Sequence, residues 1–291
     1  MIKFFQKSKI PFVKGILFLV LAELCFSSAT VFAKFVTTGT NIPAIEITFL
    51  RFFFGFIITS FTIYRLKLTL HPNNKKFVYL RAILNTAAVI FFFLAVKYTT
   101  ITNANMLNIT YPVFIFLFAP FLINEKIKLY HGVCLAFTIL GVFLIIHPDF
   151  HNTNIGDFYG LISGIVGALA IITLRKAREF DSTTTILFYL MGIGTIINGL
   201  LLIPFFEMPN GIQLLQMIAS ALLGFGGQIF LTSGYKHVEA GEGSMVSTSR
   251  ILFAFILGSF FFSEQITFVL LLGAFLIVGS LTFISLRQLK K

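Results

Sequence analysis

The stretch NMLNITYPVFIFLFAPFLINE at residues 105–125 returns 139 positions later as SMVSTSRILFAFILGSFFFSE at 244–264. Met106 falls on Met245 and Glu125 on Glu264. Each copy opens on small polar residues, runs apolar for about a helix's length, and stops at one glutamate. A second apolar run follows at once, 131–146 after the first copy and 266–286 after the second. A repeat this long in so apolar a chain predicts a membrane protein built from two homologous halves.

Composition agrees. The 291 residues are 57% hydrophobic and 11% charged, where soluble domains carry roughly a quarter charged residues. With 39 phenylalanines and no tryptophan, an interfacial aromatic belt falls to the eight tyrosines. The formal charge of +11 is spread through short loops between apolar runs. It therefore speaks for membrane orientation and against a nucleic-acid partner. Cys25 and Cys134 both lie inside apolar runs, so no disulfide framework or metal spacing is present. No cofactor is expected.

A spanning helix needs about 20 apolar residues. By that measure ten spans are predicted, near 13–34, 43–64, 77–97, 102–123, 131–147, 157–175, 184–205, 212–234, 243–263 and 266–286. The first is too long, and too poor in small residues at its end, for a cleaved signal peptide. The loop HPDFHNTNIGD at 147–157 divides a five-helix repeat over 1–150 from a second over 151–291. Ten spans put 18 of the 22 Lys and Arg residues on one side, Arg81 and Arg178 among them, with Lys34 and Lys97 opposite. The positive-inside rule then places both termini in the cytoplasm. Five spans per half is odd, so the second half is expected to enter the membrane inverted.

A charge inside a bilayer is costly and needs a reason. In the first span Glu23, Ser27, Thr30 and Lys34 follow one another at spacings of 4, 3 and 4, which puts them on one helical face. That stripe reads as a cavity wall or as a polar seam, with Glu23 either a coupling acid or a neutral buried one. Arg51, inside span two, could pair with Glu23 or Glu46 or meet a substrate anion. Span four offers Asn105, Asn108, Tyr111 and Pro112, and the amides can both donate and accept. Span eight places Gly224, Gln228 and Tyr235 on one face, and span nine places Ser247 and Arg250. Arg250 is the strongest single candidate for a substrate carboxylate or phosphate. Gly160, Ser163, Gly164 and Gly167 read as packing residues, Glu125 and Glu264 as structural helix ends. His131, His147 and His151 read as incidental.

The repeated polar–apolar–Glu unit, FLRFFFGF at 49–56, AVKYTTITNANML at 95–107 and the lysine closing span one together resemble the EamA-type repeats of the drug/metabolite transporter superfamily. The first two spans resemble, more loosely, its S-adenosylmethionine uptake branch. The resemblance covers nearly the whole chain and implies an all-α, ten-helix secondary transporter. The proline usual in the family's ninth span is missing, since Ile251 stands opposite Pro112. No matching helix break is therefore expected there.

These readings predict alternating-access transport of a small polar metabolite, amino acid-like or nucleoside-like, with S-adenosylmethionine among the candidates, across a bacterial inner membrane. An exporter of amino acids or drugs, or a channel or receptor, is the alternative. The expected partners are the small-molecule substrate and membrane lipid, with proton or counter-substrate coupling, in a monomer or homodimer. The sequence has no GxxxxGK[ST], HExxH or GxSxG, so neither an ATP-driven pump nor an intramembrane enzyme is expected.

Overall fold

The computed structural model describes residues 2–38, 40–98, 104, 107–125, 128–146, 155–262 and 268–289. Eleven α-helices run through them: α1 Ile2–Thr37, α2 Ala44–Leu66, α3 Lys75–Tyr98, α4 Tyr111–Ile123, α5 Leu129–Ile146, α6 Ile155–Ala177, α7 Thr183–Leu202, α8 Gly211–Gly234, α9 Ala240–Ser247, α10 Arg250–Phe262 and α11 Phe268–Leu289. A single 3₁₀ turn, Ile203–Phe205, continues α7, and no strand occurs among the described residues.

Local chemistry sets the ends. Pro43, in an extended conformation, precedes α2, and Lys67 closes that helix in the left-handed region at φ 49°, its N–H donating to the Ile63 and Tyr64 carbonyls. Asn210 and Gln213 form a reciprocal capping box at the start of α8. Ser182 accepts from the Thr185 amide to start α7.

Seven segments are long and apolar enough to cross a membrane: Pro11–Thr37, Ala44–Leu66, Lys75–Ala95, Ile155–Ala177, Thr183–Phe205, Gly211–Gly234 and Ala240–Phe261. The last joins α9 and α10. Three shorter apolar helices, Leu107–Ile123, Leu129–Leu144 and Leu271–Phe283, lie where the remaining sequence-predicted spans do. The outside of the bundle is greasy: Phe121 is 86% exposed, and Phe260 and Phe268 80% each. Lipid is the solvent that suits such a surface.

Packing follows the repeat. Moving α4 by 139 residues lands on the bounds of α10, and moving α2 lands on α7 with its 3₁₀ turn. The same shift carries α1 onto the region of α6 and α3 onto that of α8. The principal pairs are α3 against α6, α1 against α8, α2 against α7 and α5 against α11. The first two exchange under the shift and the last two map onto themselves.

Contact between helices is close where small residues allow it, as expected when lipid gives apolar faces little drive to associate. A Cβ on Gly141 of α5 would lie 2.6 Å from the Gly273 carbonyl of α11, and one on Gly194 of α7 would lie 2.3 Å from the buried Phe52 ring. At the end of the bundle where α1 begins, Leu19, Val78, Leu174, Tyr235, Val238 and Val246 form a dense apolar plug.

Candidate functional site

Two helices are broken at corresponding points. Before α4, residues 107–109 are helical and Thr110 is a turn. Between α9 and α10, Thr248 and Ser249 are turns. At both breaks the hydrogen bonds shorten to three-residue steps. Thr110 N–H donates to the Leu107 carbonyl and Val113 N–H to the Thr110 carbonyl. Thr248 N–H donates to Met245, and Ile251 N–H to Thr248. The absence of proline in the ninth span therefore does not prevent a break, which corrects the expectation from the sequence. Hydroxyls achieve it instead. Thr248 Oγ1 donates to the Met245 carbonyl at 2.6 Å, as Thr110 Oγ1 does to Leu107 at 2.5 Å. Such side-chain bonds compete with the helical ladder. Tyr111 and Arg250, 139 apart, are the first residues after the breaks.

Arg250 reaches across to α1. Its Nε donates to Glu23 Oε2 at 2.7 Å, and its guanidinium lies 4.6 Å over the Phe26 ring. Ser27 Oγ donates to the Arg250 main-chain carbonyl at 3.1 Å, so two residues of the α1 stripe hold the start of α10. Glu23 is 0% exposed and its Oε1 has no partner, whereas 44% of the Arg250 side chain is accessible.

Ser247 is buried beside Glu23, Tyr111 and Tyr235, and its hydroxyl meets hydrogen-bond geometry with none of them. The Tyr111 hydroxyl lies 3.5 Å from the Ser244 carbonyl. Tyr235 is fully buried with its hydroxyl unpartnered, and Gln228 is buried with Nε2 unpartnered.

The other candidates sit differently. Arg51 pairs with neither Glu23 nor Glu46, which corrects the ion-pair expectation: its guanidinium lies 5.1 Å from the Phe52 ring centre and its stem crosses Gly224. Glu46 instead accepts the Glu207 N–H at 3.3 Å. Asn108 donates through Nδ2 to Ser163 Oγ of α6, so its amide tethers two helices. Lys34 is exposed near the end of α1, on the Glu23 stripe but outside the ion pair. Asn105 lies outside the described residues.

The chain matches the model of the EamA-like transporter family twice, over residues 13–147 and 154–286. It belongs to that family. Solute carrier family 35 member G1 of Mus musculus is 30% identical over 86% of this chain and 72% of its own length. The pseudopaline exporter CntI of Pseudomonas aeruginosa is 24% identical over 86% and 88%. The S-adenosylmethionine uptake transporter of Rickettsia felis is 24% identical over 87% and 86%. A crystal structure of another protein, 18% identical, superposes with a TM-score of 0.80 over 95% of this chain and 99% of that one, which shows the fold.

In this EamA-like chain one site residue escapes the sequence reading. Arg81, counted there with the basic loops, is 1% exposed within α3, beside Tyr235, and its Nε and Nη2 have no partner. It shares a helical face with the buried Val78 and Ala82, and that spacing was the available signal. Glu125 is structural, as expected: its carboxylate accepts Ala240 N–H at 2.7 Å and Gly241 N–H at 3.3 Å, capping α9 from the far end of α4. Burial pushes its carboxyl above the ordinary range, against the two amides that favour the anion. Its repeat partner Glu264 lies outside the described residues, as do His147 and His151. His131 is buried between α5 and α9, its Nε2 3.6 Å from Glu242 Oε1 and its Nδ1 accepting the Lys128 N–H at 3.3 Å.

Proposed function

We propose that this EamA-type membrane transporter is a secondary carrier. It moves a small polar metabolite bearing an anionic group across a bacterial cytoplasmic membrane by alternating access. Ten spans in two inverted five-helix halves, with both termini in the cytoplasm, complete the reading. The Arg250–Glu23 pair carries it. A charged pair set at a helix break, half of it sealed and half accessible, is a place where a solute anion can replace a protein carboxylate.

Broken helices at membrane depth are tolerated where they line a cavity or are buried in protein, and inverted-repeat transporters place their binding sites at such breaks. The relatives' names supply both export and uptake, so the proposal is of a carrier without an assigned direction. S-adenosylmethionine, amino acids and nucleosides are the first solutes to assay.

Arg250→Lys keeps the charge but loses the planar fork. In proteoliposomes it should raise the apparent KM of the transported solute while leaving the protein folded. An Arg250→Ala carrier with unchanged apparent affinity would remove Arg250 from the binding site.

A further inference from the structure

The span built on α2 closes at Leu66. At that end a groove of about 660 Å³ opens between α2, the segment that follows it and Phe188 of α7. Tyr64, Arg65, Lys67, Leu68 and Leu70 line it, and no carboxylate does. Arg65 and Lys67 are exposed, and neither has an ion pair among the described residues. Residues 65–76 carry Arg65, Lys67, Lys75 and Lys76 and no acid.

The groove is preformed. The Lys67 and Leu68 N–H groups donate to the Tyr64 and Ile63 carbonyls, so the helix end presents cations rather than bare carbonyl groups. Further on, the Tyr189 hydroxyl of α7 donates to the Leu70 carbonyl at 2.9 Å. Asp181 accepts the Asn73 and Asn74 N–H groups at 2.6 and 3.0 Å. A ligand therefore finds the segment already ordered, which lowers the entropy cost of binding.

An apolar row leads to the groove along the outside of the bundle. Phe53, Ile57 and Phe61 are exposed on α2 at i, i+4 spacing, and Arg65 continues the row. The Arg65 guanidinium lies 5.9 Å from the Phe61 ring centre. From Phe53 to Arg65 the row runs about 18 Å along the axis, against about 15 Å for the hydrocarbon of one leaflet. Tyr64 is exposed at the depth where tyrosines mark the membrane interface.

We propose that this groove binds one anionic phospholipid, its phosphodiester at Arg65 and Lys67 and an acyl chain along the Phe53, Ile57 and Phe61 row. Arg65 offers a planar fork to two phosphate oxygens and Lys67 a point charge. A soluble anion meets only these two cations, whereas a phospholipid gains the apolar row as a second hold. A choline headgroup sets its own ammonium against Arg65 and Lys67, so a net-anionic headgroup is preferred. The assignment uses no residue of the Arg250–Glu23 pair and is independent of the carrier reading.

The test is native mass spectrometry of the purified full chain in detergent, titrated with phosphatidylglycerol or with phosphatidylcholine of the same acyl chains. One phosphatidylglycerol should bind well before any other lipid adduct and ahead of phosphatidylcholine. The Arg65→Gln, Lys67→Gln double variant should weaken that first binding step by about 25-fold, roughly fivefold for each basic residue. Each single variant should then show about a fivefold loss. Both residues are exposed, so the variants should fold. Lys75→Gln with Lys76→Gln removes the same charge from the same loop outside the groove and should change it less than twofold. Glycerol 3-phosphate, the anion without acyl chains, should not compete at the lipid's half-saturating concentration. Equal binding of the two lipids, equal losses in the two double variants, or competition by glycerol 3-phosphate at that concentration would overturn the assignment. The second of these outcomes leaves only general attraction to a basic surface, and the third leaves a site for a soluble anion.

Discussion

Removing one or the other partner of the Arg250–Glu23 pair should have unequal costs, because burial is unequal. Arg250→Ala strands a carboxylate that is 0% exposed and already has one oxygen without a partner. Losing one side of a buried pair costs about 3–5 kcal/mol. Glu23→Gln leaves an amide oxygen that can still accept from Arg250 Nε, and the freed guanidinium is 44% accessible. Exchanging a charge-assisted bond for a neutral one at such a position costs about 1–2 kcal/mol. The double variant removes the stranded charge and should be more stable than Arg250→Ala alone, with a coupling of about 2 kcal/mol.

At roughly 2 °C per kcal/mol for a chain of this size, midpoints should fall by about 6–10 °C for Arg250→Ala and about 2–4 °C for Glu23→Gln. In the Arg250→Ala background the second substitution should cost nothing further and restore up to about 2 °C. The assay is thermal unfolding in detergent at one scan rate, since unfolding of such a protein is expected to be irreversible. Equal losses in the two single variants, or strict additivity in the double, would refute the pairing and its asymmetry.

Two further outcomes follow from the geometry. Burial raises the Glu125 pKa in the folded state, so its contribution is fully present below the ordinary carboxylate pKa and is lost as pH rises through the shifted value. Glu125→Gln should therefore gain on the wild type as pH climbs above about 4.5, and Glu125→Ala, which removes the α9 cap, should cost about 1 kcal/mol; unfolding midpoints between pH 4.5 and 7 test both. For topology, a reporter active only outside the cytoplasm should be silent when fused after Lys291 and strong when fused near Asn152, and the reverse at either point would break the ten-span orientation.

Much of this architecture is legible in the chain because lipid imposes a simple rule: long apolar runs become helices, and their ends fall where polar residues and Gly, Pro or Asn return. The 139-residue shift already aligns α4 with α10. Glu23 and Arg250 stand out separately as charges within spans, yet they are 227 residues apart, and periodicity cannot say which distant face meets which. Arg51 was an equally good partner for Glu23 on paper. It turns instead to Phe52 and Gly224, because α2 lies against α8. Arg81 hid near a span boundary, where a basic residue ordinarily marks the loop side. The break between α9 and α10 hid because no proline marks it; the Thr248 hydroxyl, bonded to the Met245 carbonyl, competes with the helical ladder there.

The carrier reading meets its most direct test in counterflow with purified protein in proteoliposomes. Vesicles loaded with unlabelled solute should take up the same labelled solute from outside in a transient, saturable overshoot that Arg250→Ala abolishes. Flux that rises linearly with concentration and ignores the solute on the far side would contradict it.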